Sequence, residues 1–138
     1  APIHYVVSLY KIKILKLLLE LGADVNVKDK ENETPLISTC RHRSFRDRDT
    51  KTKYESVKLL LDYNPDINIR SHYGTALNGA YSNRDIPVIK LLLEKKADIG
   101  DEKEGTLLHR AIKDSNPEIF KLFLKYYDVN LQNDKLKT

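Results

Sequence analysis

The sequence predicts an all-α protein built by repeating one helix–turn–helix unit, and three observations predict it. Four segments share a pattern: "ILKLLLELGADVNVK" (14–28), "SVKLLLDYNPDINIR" (56–70), "VIKLLLEKKADIG" (88–100) and "IFKLFLKYYDVN" (119–130). Each follows a second element: "APIH" (1–4), "TPLI" (34–37), "TALN" (75–78) or "TLLH" (106–109). The spacing is regular. Ala1, Thr75 and Thr106 each precede the lysine of their partner segment (Lys16, Lys90, Lys121) by 15 residues, and only Thr34 to Lys58 departs, at 24.

The elements follow in order. The four long segments carry apolar residues at i, i+3 and i+4, then a break and an aspartate, the signature of an amphipathic helix that stops and turns. The short upstream elements are helix entrances. A threonine side chain accepts a bond from an unpaired backbone N–H of the first turn. Proline at the first helical position costs nothing there, because its missing N–H has no intrahelical partner. Thr34–Pro35 therefore opens a helix, and Thr75 and Thr106 keep the cap. The unit starts recur at 33, 41, 31 and 32 residues, counted from Ala1 through Thr34, Thr75 and Thr106 to Thr138.

A period near 33 residues with this content resembles the ankyrin repeat, and the resemblance spans the chain. The stretch "APIH…ILKLLLELGADVNVKDKENETPL" follows the family pattern almost without gaps. The third and fourth repeats depart from it: Lys96 stands where glycine is usual, and the fourth lacks one residue around Tyr127–Asp128. The resemblance implies a solenoid of about four stacked helix pairs with projecting hairpin-like loops. The repeats fall at roughly 1–28, 29–70 (with an insertion near 41–55), 71–102 and 103–132, and 133–138 begins a further one. On this reading the 138 residues are one domain, a piece of a longer array. Stacking should bury Leu17, Leu18, Leu59, Leu60, Leu91, Leu92, Leu122 and Ala111.

Composition narrows the function. Charged residues are 32% and hydrophobic residues 41% of the chain, and no apolar run is long enough to span a bilayer. The single cysteine, Cys40, rules out an internal disulfide and fits a reducing compartment. The expected location is intracellular, cytoplasmic or nuclear. The chain holds 24 basic and 20 acidic side chains, and the whole excess lies between Arg41 and Lys53, which carries four arginines, two lysines and two aspartates. The rest is balanced, unlike a uniformly basic nucleic-acid binder.

Catalytic constellations are missing. There is no glycine-rich phosphate loop, no Ser/His/Asp set and no histidine pair at zinc-binding spacing. His4 and His109 occupy the position where, in the family, an imidazole bonds backbone and the neighbouring threonine. Asp24, Asp29 and Asp66 sit where carboxylates satisfy backbone donors, and Cys40 reads as a core thiol. No enzyme activity, metal or cofactor is expected.

In ankyrin repeats, contacts come from loop tips and from the exposed side of the first helix of each pair. Carried onto this chain, the loop tips are Lys30, Glu31 and Glu33, then His72 and Tyr73, then Lys103 and Glu104. The first helices offer Tyr5, Ser8 and Leu9, then Ser38, Arg41 and His42, then Ser82 and Asn83, then Arg110, Lys113 and Asp114. Each could equally be a solvated polar residue; Tyr73 is the sharpest, as an aromatic at a loop tip.

The second repeat carries about nine extra residues within Arg41–Glu55. Insertions in repeats map to loops, and long loops are often functional. Arg43, Arg46, Arg48, Lys51 and Lys53 could form a basic finger for an acidic protein, a contact to nucleic acid or an anionic surface, or a tolerated solvated insertion. Only Phe45 is aromatic in the arginine cluster, which is poor for base stacking. The expected function is non-catalytic recognition of another protein, one with an acidic patch, by a monomer. The alternatives are the recognition arm of a larger effector or ubiquitin-ligase adaptor, or nucleic-acid or anionic-surface binding through 41–53. The Lys-, Ile-, Asn- and Tyr-rich irregular repeats also resemble ankyrin proteins of poxviruses and intracellular bacteria, which would place such an effector in a host cytosol.

Overall fold

The computed structural model describes residues 1–43, 47–99 and 107–136, with side chains except those of 47–48 and 127–136. Among them are eight helices: α1 (Pro2–Ser8), α2 (Ile12–Glu20), α3 (Pro35–Arg41), α4 (Asp47–Asp62), α5 (Ala76–Ser82), α6 (Ile86–Glu94), α7 (Leu107–Lys113) and α8 (Pro117–Leu136). Isolated bridge Ser71–Gly74 aside, no β-pairing occurs among the described residues. None of the described helices is long and apolar enough to cross a membrane.

The chain divides into two compact units, Ala1–Ala97 and Asp98–Thr138. In the first, three helix pairs stack: α1 packs on α3 and α3 on α5, while α2 packs on α4 and α4 on α6. The entrances form as the sequence predicts. Thr34 Oγ1 accepts from Ile37 N at 3.2 Å. Thr75 and Asn78 cap one another reciprocally, a capping box with asparagine in the third position. Thr106 lies outside the described residues. Asp29 Oδ1 accepts from the N–H groups of Glu31 and Glu33, both at 2.9 Å. Asp24 and Asp66 do the same for Asn26 and Asn68. The loops are also tied to one another: Asp66 N donates to Asn26 Oδ1 at 2.9 Å and His72 N to Glu31 O at 3.1 Å.

The core uses a different register of the leucine runs from the one expected. Leu60, Leu92 and Ala111 are buried. Leu18, Leu59, Leu91 and Leu122 are only half-buried, and Leu17 is exposed. Successive residues on a helix are rotated by about 100°, so a three-leucine run cannot face the core throughout. The buried faces are the i, i+4 pairs Leu15/Leu19, Val57/Leu61, Ile89/Leu93 and Ile119/Phe123.

Two further expectations change. The insertion is not simply a loop: α4 has 16 residues against 9 in α2 and α6, so its extra length from Asp47 onward is helix. The last helix does not break before a polar link as expected for 119–130 either; α8 runs on to Leu136, past the expected end of the repeat at 132 and into 133–138. The other long helices exit through left-handed residues, Gly22 (φ 91°), Asn64 (φ 51°) and Lys96 (φ 65°). "KYYDVNLQNDKL" has no glycine or proline to break the helix.

Candidate protein-binding surface

Equivalent positions of α1, α3 and α5 line one side of the first unit. Tyr5, Ser38 and Gly79 share one position, Ser8, Arg41 and Ser82 the next, and Leu9, His42 and Asn83 the third. Tyr5, Leu9, Arg41, His42 and Ser82 are exposed, while Ser38 is half-buried. Gly79 lets α5 close on α3: a Cβ there would meet Arg41 Cα and N at 3.1 Å, so the glycine is a condition of the surface's shape.

The centre is a fixed cluster. The Arg41 guanidinium is ion-paired with Glu33 and lies 3.7 Å from the centroid of the Tyr73 ring. Glu33 is buried, which corrects its reading as a loop-tip contact: its carboxylate anchors Arg41 from below. Asparagine and glutamate of the preceding loop hold His72. Nδ1–H donates to Glu31 Oε2 at 3.2 Å, and Asn32 Nδ2 donates to Nε2 at 3.4 Å. Tyr73 stays 53% exposed and Tyr5 69% exposed, so two aromatics stand on this side, one of them clamped by a cation–π contact. Lys30 and Arg43 are exposed, each on the first unit.

Other candidates are committed to structure. Asn83 Nδ2 donates to Cys40 O at 3.1 Å and to Arg41 O at 3.0 Å, closing the carboxyl end of α3. His42 Nδ1 is hydrogen-bonded to the Tyr10 hydroxyl at 2.8 Å, with the rings edge to face. In the second unit Arg110, Lys113 and Asp114 are exposed on α7 and the turn after it. Lys103 and Glu104 lie outside the described residues, as do Arg46 and the side chain of Arg48.

Lys53 departs most from the sequence reading. It belonged to the basic finger, yet its side chain is buried. Its ammonium donates to Cys40 O at 3.2 Å and His42 O at 2.8 Å, and stands 3.3 Å from Asp85 Oδ2. Lysine near a helix carboxyl end complements the dipole, and here one cation ties α3, the lengthened α4 and the start of α6 together. Only the spatial meeting of three segments could have signalled it. Of the basic run, Lys53 is buried and the exposed Arg41 is tied to Glu33 and Tyr73, while Arg43 and Lys51 are further exposed cations among its described side chains.

Among the described residues no group of three His, Cys, Asp or Glu side chains could hold a metal. Cys40 is fully buried, and burial pushes its thiol from the ordinary 9.0 up to about 12, so it stays protonated and unreactive. His4 Nε2 donates to Glu33 O at 2.8 Å, the structural role expected of it. Its buried Nδ1 has no partner, since Ala1 stands where the other repeats have a threonine hydroxyl.

Comparison with known proteins agrees with this architecture. Residues 1–71 and 48–133 match the family Ankyrin repeats (3 copies). The chain belongs to the ankyrin-repeat family, whose members are generally non-catalytic protein–protein interaction modules. It is 25% identical over 144 residues to Ankyrin repeat protein OPG189 of Variola virus, covering 86% of this chain and 26% of that protein. It is 32% identical over 120 residues to Putative ankyrin repeat protein FPV115 of Fowlpox virus, covering 86% of this chain and 21% of that protein. Similarity to Probable E3 ubiquitin-protein ligase XBOS33 of rice is 30% over 95 residues, covering 67% of this chain and 16% of that protein. The chain thus spans about a quarter or less of the length of these curated relatives.

Proposed function

We propose that this chain is a non-catalytic recognition module that binds a partner protein through the α1, α3 and α5 side of its first unit and the adjoining loop tips. One observation carries the reading: Tyr73 is half exposed yet held by Arg41, which is itself held by the buried Glu33. An aromatic fixed before binding loses little conformational freedom on contact, and such anchors supply much of the affinity at protein interfaces. Tyr5 and Leu9 extend the apolar part, and Ser82, His72, Glu31, Lys30 and Arg43 form its polar border. Exposed Arg43 and Lys51 favour an acidic patch on the partner, with Arg46 and Arg48 of the same run in support. An intracellular setting fits the lone reduced cysteine.

The test is capture of proteins from a nuclease-treated cell lysate by the chain and by its Tyr73→Ala and Tyr5→Ala variants. One captured protein should bind the purified chain directly, and each substitution should weaken it by about tenfold or more. Unchanged binding in both variants would move the interface off this side. Loss only in an Arg43→Glu, Lys51→Glu variant would assign recognition to the insertion, and capture seen in a parallel untreated lysate but absent from the nuclease-treated one would assign it to nucleic acid.

A second reading makes the chain the recognition arm of a larger effector or ubiquitin-ligase adaptor. The rice relative's name and the small fraction of each relative that the chain spans favour it, and the binding surface would be the same.

A further inference from the structure

Helices α4 and α6 leave an open, largely apolar groove between them, inside the first unit. It has a volume of about 470 Å³ and is lined by Thr50, Lys51, Tyr54, Asp85 and Pro87. The lengthening of α4 creates it. Aligned on Lys58 and Lys90, Tyr54 matches Ile86, the first residue of α6, so Asp47–Lys53 has no matching turn of helix in α6. Thr50 and Lys51 belong to that added stretch and are exposed.

The two walls are held in register. Lys53, on the buried side of α4, stands 3.3 Å from Asp85 Oδ2 and ties both helices to the end of α3. The same contact sets the charge of the groove. Asp85 is neutralised by Lys53, so the unpaired charge of the lining is the Lys51 ammonium. Lys58, one turn beyond Tyr54 on α4, is exposed as well, and neither lysine forms an ion pair among the described residues. Thr50 and Tyr54, four residues apart, mark the groove edge of α4. Asp49 precedes that pair and Glu55 follows it, so each is turned by about 100° from the edge. The groove is thus apolar in its walls, cationic at its rim and fixed before binding.

We propose that this groove is a second docking site, for a linear segment of a partner protein with one large apolar side chain flanked by carboxylates. The apolar side chain lies between Tyr54 and Pro87, and the carboxylates meet Lys51 and Lys58. Binding sites combine apolar walls with a few placed polar groups in this way, and the sign of the rim selects the partner. A groove that is open along the added turns of α4 lets a chain pass through. The site goes beyond the proposed function: Tyr73 and the α1, α3 and α5 side take no part in it.

The experiment pans a display library of random linear peptides on the 138-residue chain. Recovered peptides are then titrated by fluorescence anisotropy against the natural chain and its Lys51→Glu, Pro87→Glu and Tyr73→Ala variants. The expected peptides carry one aromatic or large aliphatic residue flanked by Asp or Glu. Lys51→Glu and Pro87→Glu should each weaken them by about tenfold or more, and Tyr73→Ala should leave them unchanged. Lys51 and Pro87 are exposed, and glutamate suits the first turn of a helix; circular dichroism confirms the fold. If Pro87→Glu unfolds, Thr50→Glu takes its place. A library that yields no peptide or a basic consensus, or peptides indifferent to both groove substitutions, would overturn the proposal. Peptides lost only in Tyr73→Ala would overturn it too, while leaving the α1, α3 and α5 surface standing. A single-stranded oligonucleotide that binds in a Lys51-dependent way where no peptide does would give the groove to nucleic acid instead.

Discussion

Helices α2 and α4 show how little a repeat's own sequence controls its burial. The first, "IKILKLLLE", has the cleaner apolar pattern, yet it leaves Ile14 and Leu17 in solvent. The second, "DRDTKTKYESVKLLLD", is polar over its first half, yet it buries Lys53 and Ser56. What differs is the neighbourhood: α4 packs between α2 and α6, and α2 packs on α4. In a stack each helix pair has a face for the pair before and one for the pair after, and stability resides in those interfaces.

The largest test of this contrast is Lys53→Ala. It strips the Cys40 and His42 carbonyls of a donor and leaves Asp85 without its cation. Breaking such a buried pair costs about 3–5 kcal/mol, which urea unfolding would read as a lower midpoint. Lys53→Met, which keeps the stem, should lose less. A second test compares matched leucines directly. Leu60→Ala should cost about 2–5 kcal/mol, the usual range for a fully buried leucine. Leu17→Ala should stay within about 0.5 kcal/mol. Equal losses at the two positions would sink the neighbour-controlled reading.

Cys40 offers a test in pH. Its folded thiol ionises near 12 rather than 9.0. The unfolded chain therefore gives up a proton that the folded chain retains. The stability tied to this group is fully present below 9.0 and falls as pH rises toward 12, with a slope near 1.4 kcal/mol per pH unit. Cys40→Ala should flatten that decline relative to the natural chain, and an unchanged slope would mean that the thiol ionises freely in the fold. The smallest effect expected is a gain. Lys96 is exposed and holds φ at 65°, a conformation that glycine adopts without steric cost. Lys96→Gly should raise stability by about 1 kcal/mol or less, seen as a small upward shift in Tm.

Much of this was legible in advance. The helix pairs, the threonine caps at Thr34 and Thr75, the aspartates that tie the loops and the buried thiol all rest on contacts within a few residues or on a repeating pattern. The binding surface was legible by position but not by state. Tyr73 was picked out as an aromatic at a loop tip, but its clamp by Arg41 joins residues 32 apart. Glu33 and Asn83 were read as available side chains, but Glu33 is buried against Arg41 of its own repeat and Asn83 is held by carbonyls of the preceding one. The basic run gave no local hint that Arg41 and Lys53 would be absorbed into the fold.

By itself, then, the sequence determined the all-α class, the period of the repeat and the entrances of its helices. Helix periodicity, capping and turn chemistry act over one or two turns, and the residues responsible lie side by side in the chain. Only the tertiary structure decided which leucine of each run is buried, that the insertion lengthens α4, and that a lysine from a charged run becomes a buried tie. Each of those outcomes depends on which surface another segment brings against it, and on whether its charge finds a partner there.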